Sequence, residues 1–108
     1  AAAKETVHNT WNQLAAAIKD RHAKLMRLAQ QITLYNQGIV PQARQAVEAS
    51  LASYQVGSLG FERLYQNQIA AYNAELTMRE YLKDFEENWA ELEWLVGAEL
   101  PRSAGGGK

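Results

Sequence analysis

The chain contains no cysteine, which excludes both disulfides and thiolate metal sites. Glycine and proline are absent between Lys4 and Gln37, so nothing over that stretch stops a helix. An excess of either charge is also missing: 11 Lys and Arg stand against 12 Asp and Glu, a net charge of -1. Phosphate-binding surfaces normally carry a basic excess, so no nucleic-acid partner is expected. No run approaches the ~18 apolar residues that a helix needs to cross a bilayer, so the chain on its own is expected to be soluble, without direct membrane insertion. Ala1-Ala2-Ala3-Lys4 lacks the apolar core and cleavage site of a signal peptide. Any export signal is therefore expected either outside these residues or not at all.

What remains reads as helix. Over 108 residues, enough for a single domain with a small core, bulky residues fall at Val7, Trp11, Leu14, Ile18, Leu25, Leu28, Ile32, Tyr35 and Ile39 in alternating steps of four and three. A repeat of ~3.5 residues held this long is a coiled-coil seam, and only Arg21 interrupts it. Gly38 and Pro41 then predict a kink or a break, because proline has no N–H and crowds the carbonyl four residues back. The pattern resumes from Gln42 through Ala43, Ala46, Val47, Ser50, Leu51 and Tyr54, and Gly57-Ser58-Leu59-Gly60 supplies a turn.

The second long helix places Phe61, Leu64, Ala71, Met78, Leu82, Phe85, Trp89, Leu92 and Val96 at heptad spacing, with Gln68 and Glu75 as polar interruptions. Beside this seam, Tyr65, Ile69, Tyr72 and Leu76 form a second one, so the helix wants neighbours on two sides. The expected fold is all-α: an antiparallel coiled-coil helical hairpin, with folding back at 38–41 into a three-helix bundle as the alternative. Its single domain covers 1–97, with helices at about 4–37, 42–56 and 61–96, a tip turn at 57–60 and a flexible tail over 98–108. The faces left uncovered by one hairpin, Val7 to Ile32 and Tyr65 to Leu76, make a homo-oligomer the expected state.

Chemistry-bearing groups are sparse. His8 and His22 are about 21 Å apart on one helix at ~1.5 Å per residue and cannot share a metal. His22 and Met26 make only a two-ligand pair for a soft ion, so no metal site is assigned. The run Lys83-Asp84-Phe85-Glu86-Glu87, with Glu91 and Glu93, reads as a solvated flank. Trp11 and Trp89 fall on the seams and are expected in the core, whereas Trp94 is off the seam. No nucleophile, base and oxyanion donor converge, so neither catalytic residues nor a cofactor are expected.

One resemblance bears on function. Ile39-Val40-Pro41-Gln42-Ala43, Tyr54-Gln55-Val56-Gly57, Phe61, Leu64, Gln68, Ala74-Glu75-Leu76, Leu92-Glu93 and Val96-Gly97 stand in an order and spacing similar to the last coiled-coil hairpin of the TolC family of outer-membrane efflux proteins, nearest its heavy-metal branch of CusC and CzcC. The likeness covers roughly the last three fifths of the chain. It departs near the tip, where Leu64-Tyr65-Gln66-Asn67-Gln68 replaces the family's usual Leu-Leu-Asp-Ala-Gln and Gly60 replaces a common acidic residue. The resemblance implies a trimeric periplasmic tunnel whose hairpin tips meet a periplasmic adaptor, which links them to a proton-driven inner-membrane pump. On that reading the tip residues Val56, Gly57, Ser58, Leu59, Gly60 and Phe61 dock the adaptor, and the chain works at the periplasmic side of the bacterial outer membrane. The alternative is a stand-alone, self-associating helical module without transport activity.

Overall fold

In the computed structural model of the chain, residues 2–99 are described. Three α-helices account for most of them: α1 (Ala2–Leu34), α2 (Val40–Gln55) and α3 (Phe61–Glu99). A π-helical turn, Tyr35–Ile39, joins α1 to α2, and the described residues contain no strand. The fold is therefore all-α and built on a helical hairpin. The helix expected to close at Gly97 continues to Glu99, and the rest of the expected tail, from residue 100, lies outside the described residues. Contacts gather the described residues into two compact units, one of Leu28–Lys83 and one of residues 2–27 with 84–99.

The Leu28–Lys83 unit holds the hairpin turn. Leu28, Val40, Ser50, Leu64, Ala71 and Ala74 are its buried residues, and Tyr35 meets the ring of Tyr81 edge-on at 5.4 Å. Of the kink or break expected at 38–41, no break forms; the irregularity there is the π-helical turn Tyr35–Ile39. Ile39 and Val40 both keep right-handed helical torsions, φ/ψ of -66/-45° and -67/-48°, so the chain does not turn back there and no three-helix bundle arises.

Two physical reasons account for this continuity. Pro41 sits in the first turn of α2, directly after the π-helical turn, and the Val40 N–H reaches back five residues to the Tyr35 carbonyl, a wider turn that relieves the crowding a proline ring imposes on the carbonyls before it. Furthermore, the wider turn matches a slip in the sequence. Before it the inward residues run Leu28, Ile32, Tyr35, and after it Val40, Ala43, Val47, Ser50, one position later than the earlier rhythm would place them. A π turn takes up one extra residue, and this one returns the apolar stripe to α3 without ending the helix.

The inward line of α3 also differs from the expected one. Leu64, Ala71, Met78, Phe85 and Leu92 face inward as read from the sequence, but the residues alternating with them are Asn67, Ala74, Tyr81, Asn88 and Leu95. Phe61, Leu82, Trp89 and Val96 are exposed instead. Apolarity favoured the wrong flank because the chosen one is lined by polar and small groups that the opposing helix satisfies. Asn67 donates to the Ser50 hydroxyl, and Ala74 permits close approach.

In the other unit, Leu25 and Asn88 are buried, and Leu14, Ile18, Phe85, Leu92 and Leu95 are half-buried. Arg21, the interruption in the first seam, finds polar partners. Its Nη1 donates to Asn88 Oδ1 at 2.9 Å, and its Nη2 lies 2.6 Å from Glu91 Oε1. Asn88 in turn donates to the Asp84 carbonyl at 2.7 Å. Trp11 and Trp89, expected in the core, are each 49% exposed, because Trp89 lies on the flank of α3 that faces outward. No helix among the described residues is long and apolar enough to cross a membrane.

Candidate docking surface at the hairpin tip and outward faces

The tip is built by the end of α2. Gly57 takes φ of +83°, the only positive φ among the described residues, a conformation that a side chain disfavours. Its N–H donates to the Tyr54 carbonyl at 3.0 Å, and the Ser58 N–H donates to the Ser53 carbonyl at 2.9 Å. These are the paired bonds of a Schellman closure, which satisfy carbonyls the helix end would leave open. The Ser58 hydroxyl adds a second bond to the Ser53 carbonyl at 3.1 Å. Across the turn, the Gly60 carbonyl accepts from the Leu64 N–H at 3.3 Å and starts α3. A Cβ at Gly57 or Gly60 would meet nothing within 4 Å. Backbone sign rather than space therefore demands glycine, and only at position 57.

The side chains that this turn presents are apolar. Val56 is 79% exposed and Phe61 60%, while Leu59 is half-buried. Phe61 meets Tyr54 edge-on at 6.0 Å and stacks on Tyr65 at 6.1 Å. The resulting aromatic group spans both arms of the turn. It leads into the second seam of α3, where Tyr65, Ile69, Tyr72 and Leu76 are all exposed. Of the first-seam residues assigned to helix packing, Leu25 and Leu28 are buried, Leu14, Ile18 and Ile32 half-buried, and Val7 and Trp11 exposed.

Several polar partnerships were not foreseen from the sequence. Arg44 Nε bonds Glu75 Oε2 at 2.7 Å, which explains a carboxylate beside an apolar stripe. Trp89 Nε1 donates to Glu93 at 3.0 Å, and Phe85 stacks on Trp89. Arg21 on the seam was the one signal available for the Asn88 and Glu91 contacts.

His8, His22 and Met26 are exposed on α1. Among the described residues, no group of three or more His, Asp or Glu side chains is placed to hold a metal ion. The surface depressions are shallow grooves, such as that lined by Ala15, Ile18, His22 and Leu92. Comparison with family models, with curated proteins and with solved structures gives no match.

Proposed function

We propose that this chain is part of the periplasmic tunnel of a TolC-like outer-membrane efflux channel, with the tip at Val56, Gly57, Ser58, Leu59, Gly60 and Phe61 docking a periplasmic adaptor. Heavy-metal ions are the substrate class that the CusC and CzcC resemblance suggests. The observation that carries the reading is the tip itself. The glycine that the resemblance places at the apex is, among the described residues, the one in the left-handed region, and it sits between two helices whose apical side chains are apolar and exposed. A hairpin apex of that kind offers backbone and small side chains for end-on contact with other helices. The transported ion would pass through an assembly to which this chain contributes wall and tip, with no chemistry performed by its residues.

The test is to place the chain in a full channel, with barrel strands and a first hairpin repeat, and to replace Gly57 by valine. Adaptor cross-linking at the tip should fall, while trimer formation and membrane insertion persist. Undiminished adaptor binding would remove the docking assignment. The exposed Tyr65 to Leu76 face supports the second reading, a self-associating helical module without transport activity. The two part on the flanking gene sequence: a channel requires membrane strands and an earlier hairpin repeat.

A further inference from the structure

The outward face of α3 has a self-complementary order. Glu62, Tyr65, Ile69, Tyr72, Leu76 and Arg79 follow one another in alternating steps of three and four, the spacing of a second coiled-coil seam. All six are exposed, with Tyr72 at 65% and Tyr65 at 52%. They lie on the side of α3 away from the inward line of buried Leu64, Ala71 and Ala74 and half-buried Asn67. Glu62 and Arg79 have no ion-pair partner among the described residues.

We propose that this face binds a second copy of the chain, with the two α3 helices antiparallel about a two-fold axis passing between Ile69 and Tyr72. Reversing the helix about that point puts Ile69 opposite Tyr72, Tyr65 opposite Leu76 and Glu62 opposite Arg79, each pairing occurring twice. Four apolar layers are thereby closed at both ends by opposite charges. A parallel pairing would instead set Glu62 against Glu62 and Arg79 against Arg79. The isologous arrangement satisfies the charges without any other protein, and the charge order therefore selects a second copy running in the opposite direction.

Contact from Glu62 to Arg79 extends about 26 Å at ~1.5 Å per residue. Buried aromatic side chains contribute ~150 to 250 Å² each, so half-exposed Tyr65 and Tyr72, with Ile69, Leu76 and the flanking chains, bring the face to on the order of 600 Å² per copy. That approaches the ~800 Å² per partner of a standard interface. The pairing rests on the reading of the chain as a self-associating module, since two copies running in opposite directions point their tips apart and do not line one tunnel toward an adaptor.

Sedimentation equilibrium of the full chain up to ~100 μM should give a reversible monomer–dimer equilibrium. Arg79→Glu opposes like charges twice per dimer and should weaken association about tenfold. Glu62→Arg combined with Arg79→Glu should restore it, with helical circular dichroism unchanged in all three chains. Because the chain has no cysteine, direction can be read by oxidation. Tyr65→Cys chains mixed with Leu76→Cys chains should form disulfide-linked heterodimers. Tyr65→Cys alone should not, since antiparallel copies hold those residues ~16 Å apart, beyond disulfide reach. Cross-linking of Tyr65→Cys to itself, failure of the charge swap to restore the dimer, or a monomer throughout would overturn the proposal. In the last case the face would be left to a different protein.

Discussion

Replacing Arg21 and Asn88, singly and together, probes how a polar layer is held inside an apolar seam. Asn88 is 7% exposed. Its Oδ1 depends on the Arg21 guanidinium, and its Nδ2 on the Asp84 carbonyl. Arg21→Leu leaves that oxygen buried without a donor, a loss of about 1–3 kcal/mol. The Arg21–Glu91 pair adds less than ~1 kcal/mol, because the Glu91 side chain is 59% exposed and solvent screens the pair. The new leucine returns part of this by packing on the seam, so Arg21→Leu alone should destabilise by about 1–2 kcal/mol. Asn88→Leu should lose about 1 kcal/mol, since the Arg21 head keeps Glu91 and some water. The double change Arg21→Leu with Asn88→Leu removes both polar partners together and leaves two leucines on one layer, a replacement that is often neutral or stabilising. The double variant should thus match or exceed the parent, giving a coupling of roughly 2–3 kcal/mol between the sites. Urea unfolding followed by helical circular dichroism measures it, at one low concentration so that self-association does not contribute. Strictly additive losses, with the double variant the least stable, would refute the claim that these side chains complete each other.

Gly57→Ala should lose about 1–2 kcal/mol, because only the left-handed backbone opposes the added Cβ, and Gly57→Asn should lose less; equal losses in urea unfolding would point to steric crowding instead. Deleting Gly38 together with Pro41→Ala should turn Tyr35–Ile39 into ordinary α-helix with the inward positions of α2 unmoved, as a crystal structure or backbone chemical shifts would show; a surviving π turn would contradict the one-residue slip as its cause. In a channel carrying this hairpin, His22→Ala should leave metal resistance within about twofold of the parent, since His22 and Met26 form a pair without a third ligand. Resistance lost with assembly intact would place a metal ligand at His22.

Much of the candidate site could be read before folding was considered. Gly57-Ser58-Leu59-Gly60 marks the turn because a left-handed residue is needed wherever a helix must close and reverse, and Tyr65, Ile69, Tyr72 and Leu76 share a face by spacing alone. Arg44–Glu75 and Arg21–Asn88 were not readable. Each joins residues distant in sequence, and nothing local to either member fixes which level of the other helix lies opposite.

The helices, the turn between them and the positive φ at Gly57 follow from local sequence, because periodicity and glycine chemistry act over a few neighbouring residues. Packing between the helices settled two further matters. It chose Asn67, Ala74, Tyr81, Asn88 and Leu95 as the inward flank of α3 over the more apolar Phe61, Leu82, Trp89 and Val96, since a polar group goes inward once a partner stands opposite to satisfy it. It also carried the helix through Gly38 and Pro41 by a π turn. Keeping the apolar stripe of Leu28, Ile32, Tyr35, Val40 and Ala43 against α3 requires one extra residue there, and a wider turn absorbs that residue while leaving the helix unbroken.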